Sequence, residues 1–200
     1  MWPRKTLTAP QDVKLQTKDL FLRPAWHSDY EDWARVRGEN RIFLENYEPT
    51  WPKDSLTETF FKRRVDRLSD DARHDRAHTF LIFENADLKL IGGINLNNVA
   101  RGAAQHASLG YWLSQEWQGK GLMTQAARAT MAYAFADLRL ERINAATLVH
   151  NTKSRAMLQR LGFAEEGFAK SYIQIAGKRQ DHVLYGLNAE DFKEGFSGAA

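Results

Sequence analysis

Two short runs of this sequence hold residue types and spacings that can do chemistry. The first is "WQGKGLMTQA", Trp117 to Ala126, in which Gly119 and Gly121 flank a lysine and lead straight into an alanine-rich segment. A glycine turn that opens into a helix exposes several backbone N–H groups in one direction, at the positive end of the helix dipole, and glycine lets a phosphate approach the backbone. The chemistry is anion binding. It is not that of the two common nucleotide loops: Lys120 is followed by Gly121 where G-x-x-x-x-G-K-[ST] needs Ser or Thr, and Thr124 stands where G-x-G-x-x-G needs its third glycine. The second run is "NTKSRAMLQRLG", with Asn151 placed to cap a helix and Gly162 to end it. Ser154, Leu158 and Leu161 fall at i, i+4 and i+7, one helical face, so Ser154 looks inward beside apolar packing. Taken singly, the glycines also fit a plain turn, Asn151 a plain cap and Ser154 a small packing residue.

The elements that must position these runs follow from periodicity and punctuation. "VKLQTKDLFLRPA" reads as extended structure ending at Pro24. Ser28 with Glu31, and Ser55 with Glu58, form S-x-x-E capping boxes. A helix is expected from the first through about Arg37, and from the second one carrying Leu56, Phe60, Val65 and Leu68. "NRIFLENYEPTWP" between them reads as a loop or short helix. "HTFLIFEN", "LIGGINLNN" and "ASLGYWL" are three strands. Gly121 to Ala136 holds six alanines and neither Gly nor Pro after its first residue, a strong helix pattern. "ERINAATLV" is a strand, and "FAKSYIQIAGKRQDHVLYGL" a hairpin turning at Ala176-Gly177-Lys178. The expected fold is mixed α/β (α+β): one domain over residues 1–200 with its core about 13–187 and loose termini at Met1 to Pro10 and "EGFSGAA". Its central, mostly antiparallel sheet is flanked by helices, without the regular alternation of a doubly wound sheet.

Composition narrows the chemistry. The chain has 200 residues and no cysteine, so disulfides, thiolate metal sites and cysteine nucleophiles are excluded; no metal is expected. A net charge of +3 and a pI near 9.1 suit an anionic ligand without pointing to DNA. No apolar run approaches the ~20 residues of a membrane span. The start lacks the apolar core of a secretory signal, so the expected location is cytoplasmic.

Gln118, Gly119, Lys120 and Gly121 resemble the Q/R-x-x-G-x-G/A signature of the GNAT superfamily of acetyltransferases. "LGYWLSQEWQGKGLMTQA" and "NTKSRAMLQRLGFAEEGFAKSYIQIAGKRQDHVLYGL", with "IGGINLNNVARG" and the early "LRPA", are similar to the RimJ/RimL group of ribosomal-protein N-acetyltransferases over about Val13 to Leu187. Met123 stands where the general signature has a small residue and is familiar in the RimJ branch, which acetylates an N-terminal alanine of a small-subunit ribosomal protein. The resemblance implies a GNAT-like domain that uses acetyl-CoA as cosubstrate. It assigns cofactor binding to Tyr111, Trp112, Leu113, Gln118, Gly119, Lys120, Gly121, Leu122, Met123, Thr124, Asn151 and Ser154. Asn151 would bind the pantetheine arm, and Ser154 would stand near the sulfur and protonate the leaving thiolate. Lys120, Arg128, Lys153 and Arg155 are near enough in sequence to meet the cofactor phosphates.

Without cysteine the acceptor amine must attack the thioester directly, in a ternary complex. The resemblance places the oxyanion donors at backbone N–H groups near Leu113. An α-amine, with pKa about 7.7–8.0, is far more often neutral at pH 7 than a lysine at about 10.4; the gap of ~2.6 units is roughly 3.5 kcal/mol. Relatives carry an acidic residue two positions before "GYW", where this chain has Ser108. Base candidates elsewhere are Glu45, Glu48, His106, Tyr172 and Asp181. Ser154, Tyr172 and Glu45 form the expected catalytic set. A weak or water-relayed base suits an α-amine. For the acceptor, Glu45 or Glu48 would meet a cationic N-terminus, Tyr47 and Trp51 would wall the groove, and Asn95 and Asn98 would bond its backbone; the same aromatics also fit a small satellite core. The expected partner is a ribosomal-protein N-terminus, with ribosome association possible, no membrane partner, and a monomer or homodimer. Two other readings stand beside it: acetylation of a small amine such as a polyamine or an antibiotic, and a non-catalytic module that binds CoA or the ribosome.

Overall fold

A computed structural model describes residues 12–192 of the chain; the expected loose ends, Met1 to Pro10 and Glu194 to Ala200, lie outside the described residues. The elements run β1 (Leu15–Gln16), β2 (Leu20–Arg23), α1 (Tyr30–Glu39), α2 (Arg41–Leu44), α3 (Glu58–Arg73), β3 (His78–Glu84), β4 (Leu90–Ala100), β5 (His106–Leu113), α4 (Leu122–Ala136), β6 (Arg142–Leu148), α5 (Thr152–Arg160), β7 (Ala164–Ile175) and β8 (Lys178–Asn188). They build one eight-stranded sheet of order β1-β2-β3-β4-β5-β6-β8-β7. Every neighbouring pair is antiparallel except β5 and β6. The mixed α/β fold is the expected one.

Local differences have local causes. The extended stretch before Pro24 is a hairpin, because Thr17 closes a turn: its N–H and hydroxyl both donate to the Leu20 carbonyl, at 2.8 and 3.2 Å. Neither S-x-x-E box caps a helix. Ser28 is exposed in a 3-10 turn (His27–Asp29) ahead of α1, and buried Asp29 caps that turn, accepting from Trp26 N at 2.7 Å while holding Arg23 at 2.8 and 2.6 Å. Thr57 caps α3, accepting from Phe60 N at 3.3 Å; Ser55 is buried two residues earlier and Leu56 precedes the helix. A carboxylate already oriented by an arginine, and a hydroxyl two residues nearer the helix, outcompete the serines.

The sheet is covered on both faces. Along β3, Phe80 and Ile82 join the core that contains Met131, Ala134 and Ile143, whereas Leu81 and Phe83 join Trp33, Phe61 and Val65 beneath α1 and α3. Burial on both faces explains why β3 reads as a continuous apolar run. Ala126, Ala127 and Ala134 of α4 are fully buried, so the helix backbone lies close against the strands.

The parallel ladder between β5 and β6 covers only His106–Arg142, Ala107–Ile143 and Ser108–Asn144. Past Ser108, β5 continues to Leu113 on β4, and β6 continues to Leu148 on β8. The two halves of the sheet therefore part at this seam. β4 can hug β5 there because Gly92 lies opposite Leu113: a Cβ at Gly92 would stand 2.5 Å from the Trp112 carbonyl oxygen. Gly92→Ala should therefore cost about 1–3 kcal/mol in urea unfolding, as overpacked strands do; a change under about 0.5 kcal/mol would contradict the close approach.

Candidate active site

The glycine run follows directly from the parted end of β5. Ser114 N donates to the Ile91 carbonyl at 2.8 Å, and a 3-10 turn, Gln115–Trp117, leads to extended Gln118. Gly119 and Gly121 then take φ of 76° and 75°, the left-handed region, and α4 begins. Gly121 occupies the cap position with no side-chain cap, and the first helical bond is Gln125 N to the Gly121 carbonyl. The N–H groups of Leu122, Met123 and Thr124 have no intrahelical partner and face outward at the dipole's positive end. Buried Asn40 anchors the start of the loop, donating to Ser114 Oγ at 3.1 Å and accepting from Gln115 N at 2.8 Å.

The second run follows the parted end of β6. Asn151 Oδ1 accepts from Ser154 N at 3.1 Å, the expected cap, which leaves its amide nitrogen for other work. Ser154 Oγ lies 2.5 Å from the Tyr111 hydroxyl of β5, so the two hydroxyls bridge the seam. Burial pushes the Tyr111 hydroxyl up to about 12, so it is neutral and able to donate at physiological pH.

Two hollows meet at this bridge. A cleft of about 720 Å³ is lined by Leu113, Gln118, Gly119, Gly121, Leu122, Met123 and Thr124 on one side and by His150, Lys153, Met157 and Arg160 on the other. A cavity of about 620 Å³ runs between α1, α3 and the sheet. Tyr47, Glu48, Tyr111, Trp112, Asn151 and Ser154 line both. Lys120 is the loop residue that does not line the cleft; its ammonium sits 4.5 Å from the Trp117 ring. Arg155 is held by Glu165 at 3.2 Å, while Lys153 and Arg160, the latter unremarked in the sequence, line the cleft.

The cavity wall carries buried polar atoms. Arg37 Nε, Ser55 Oγ, Thr79 Oγ1, Asn95 Oδ1 and Thr147 Oγ1 are buried polar atoms without a protein partner among the described residues, and all five side chains line it. Buried polar atoms normally find partners, so their convergence marks a surface built for a polar ligand. Asn98 lines the cavity too, in the left-handed region at φ 53°.

The candidate acid–base residues separate here. Glu45 does not reach the site: it lines neither hollow and is paired with Arg41, one helical turn away, at 2.8 Å. Glu48 reaches the junction, but its carboxylate takes Arg37 at 2.7 and 2.6 Å and Trp51 Nε1 at 2.8 Å. Arg37 in turn lies 4.1 Å from the Trp51 ring and 5.0 Å from that of Trp112. Trp51 therefore belongs to a buried guanidinium stack, and neither glutamate is left to meet an ammonium. His106 lies outside both hollows, beside Arg142 at the seam's closed end. Asp181 accepts from Ser171 N at 2.7 Å, holding a bulge where β7 has extra residues between Ala169 and Ile173. That bulge carries Tyr172, half exposed, to the cavity and sets its ring edge-on to His182, 5.9 Å between centroids.

His182 had no distinguishing signal in the sequence. It is buried in the cavity wall opposite Leu148, and its Nδ1 lies 3.0 Å from the Gln180 carbonyl. A carbonyl can only accept, so Nδ1 donates to it, and in the neutral ring Nε2 is the nitrogen with the lone pair. His74 and His78 stand four residues apart, but His74 caps the end of α3 while His78 opens β3, bonded to Asp75 and Tyr133. No group of three or more metal-ligating side chains occurs among the described residues. No helix there is long and apolar enough to cross a membrane.

Because the Arg37–Glu48 pair is largely buried, Glu48→Gln leaves an uncompensated guanidinium at the junction. Unfolding free energy should fall by about 2 kcal/mol, below the 3–5 of a fully buried pair because both groups keep some solvent. An unchanged denaturation midpoint would contradict this.

The acetyltransferase (GNAT) domain model matches residues 19–164. The chain is 35% identical over 178 residues to the probable N-acetyltransferase YjcK of Bacillus subtilis, across 88% of this chain and 98% of that protein. It is 35% identical over 183 residues to the ribosomal protein uS5-alanine N-acetyltransferase of Escherichia coli, across 92% of this chain and 94% of that one. Among solved structures, Mycobacterium smegmatis RimJ in complex with CoA-disulfide aligns with a TM-score of 0.82 at 32% identity, covering 89% of this chain and 87% of that one. A parted parallel seam, a glycine loop at a helix start and this likeness along most of the sequence together place the chain in the GNAT acetyltransferase family.

Proposed function

We propose that the protein transfers the acetyl group of acetyl-CoA to the N-terminal α-amine of a ribosomal protein, alanine first, by direct attack in a ternary complex. The observation that carries this reading is the meeting of the two hollows at Tyr111 and Ser154. One hollow has the glycine loop for a pyrophosphate and Asn151 for an amide-bearing arm; the other has unpartnered polar atoms suited to a peptide.

The amine attacks the thioester carbonyl at the junction. β4 occupies one edge of β5, so alternate N–H groups between Leu109 and Leu113 point into the seam, where an oxyanion develops. As the C–S bond breaks, the Ser154–Tyr111 pair supplies a proton to the thiolate. The amine's proton leaves through His182 Nε2 or a water beside Tyr172. Among the described residues no unpaired carboxylate lines the cavity to hold the amine as an ammonium, which suits an α-amine better than a lysine. The likeness to the uS5-alanine enzyme supports the ribosomal acceptor.

Thiol release from acetyl-CoA with peptides beginning Ala or Ser, with an N-blocked lysine peptide and with spermidine tests the reading. The α-amine peptides should react fastest; faster turnover of spermidine, or no reaction with any peptide, would refute it. Ser154→Ala should lower kcat about 10²-fold with acetyl-CoA affinity unchanged, the size of one general acid. Gly121→Val should weaken acetyl-CoA binding at least tenfold by calorimetry. Its neighbourhood is open, so the penalty is the left-handed backbone and the bulk set against the phosphates.

A further inference from the structure

Arg64 stands in the wall of the acceptor cavity with no carboxylate at ion-pair distance among the described residues. The α3 residues that line the cavity are Phe60, Phe61, Arg64, Val65 and Leu68, one helical face and otherwise the apolar stripe of that helix. A charge at the centre of such a stripe replaces a residue that packing alone would make apolar. Its neighbours behave differently: Arg63, on the outer face, pairs with Asp54 at 3.3 Å, and Arg37 is held by Glu48. Arg64 has no hydrogen bond, ion pair or ring contact among the described residues.

The charge balance of the cavity follows. Of its lining side chains, Arg37, Glu48 and Arg64 carry formal charge at neutral pH. Arg37 and Glu48 neutralise each other, and Arg64 is the remainder. Burial first, then the Arg37 and Arg67 guanidinia, pull the Arg64 pKa down to about 10, against a smaller opposing pull from the Glu48 carboxylate. That value is still well above neutrality, so the guanidinium keeps its charge, partly buried in the cavity wall, where a ligand carboxylate would be its complement. The unpartnered Ser55, Thr79 and Asn95 atoms offer hydrogen bonds, but no charge.

We infer that the cavity selects protein N-termini carrying a carboxylate side chain close behind the acceptor residue, and that Arg64 reads it. The inference rests on the α-amine reading above and names the class of acceptor: an acidic N-terminal segment. An extended chain advances about 3.3 Å per residue, so residues two to four carry a carboxylate roughly 3–10 Å beyond the acceptor residue, the range to be tested.

Four alanine-initiated peptides test it: one with glutamine at positions two, three and four, and three in which one of those glutamines is glutamate. Initial rates are measured with acetyl-CoA, and binding of the N-acetylated peptides is measured by calorimetry, which needs no turnover. At one position glutamate should raise kcat/KM at least tenfold over glutamine, chiefly through KM, with the same preference in binding. Arg64→Met should bring the glutamate-to-glutamine ratio to about one, Arg64→Lys should keep part of it, and Arg63→Met all of it. Equal values for the four peptides, or a preference that survives Arg64→Met, would overturn the inference. If the peptides bind with the Arg64-dependent preference but none is acetylated, the acceptor reading of Arg64 stands and the transfer reading falls.

Discussion

The parallel ladder between β5 and β6 stops after Ser108 and Asn144, and the rest of the molecule is organised around that stop. Two parallel strands present their carboxyl ends on the same side. Each of these strands runs directly into a helix, β5 through the glycine loop into α4 and β6 through Asn151 into α5. Both helix starts therefore open on the same gap, with their unpaired N–H groups and positive dipole ends together, the general location of ligands in sheets with parallel connections. Had the ladder continued, Tyr111 and Ser154 would face paired backbone rather than each other.

What keeps the gap from collapsing is polar rather than apolar. Asn40 ties α1 to the start of the glycine loop, and the Arg37–Glu48 pair with Trp51 and Trp112 braces the junction of the two hollows. A buried ion pair adds little net stability, but it demands one geometry. It also consumes the one carboxylate that lines the cavity among the described residues, so the charge of that wall is neutral or positive. The same arrangement thus holds the site open and sets its electrical character.

The helices and strands were largely legible because their periodicity is strong: the alanine-rich α4, the doubly buried β3 and the hairpin turning at Ala176-Gly177 all follow from local pattern. Helix starts were less so. Ser28 and Ser55 satisfied a spacing rule, but Asp29, oriented by Arg23 at the end of β2, holds the turn ahead of α1, and Thr57 caps α3, because what matters is which oxygen is already oriented. On the site, the glycine loop and the Asn151–Ser154 pair declared themselves because each is a contiguous motif. Glu45 looked as suitable as Glu48 from three residues away, and only α2's placement pairs it with Arg41 and turns it from the cavity.

Contiguous chemistry was determined by the sequence alone: a backbone anion site needs glycines next to a helix start, a capped helix needs its asparagine in place, and the absence of cysteine removes covalent thiol catalysis. Chemistry assembled from separate elements was decided by tertiary structure. Tyr111 meets Ser154 across the seam, His182 and Tyr172 meet through a bulge held by Asp181, and Arg64 is left unpaired because α3 turns it inward, away from the acidic residues of the surface. The reason is range. Backbone conformation is dictated over a few residues, whereas the pairing of charges and hydroxyls depends on distances of a few ångströms between strands and helices far apart in the chain.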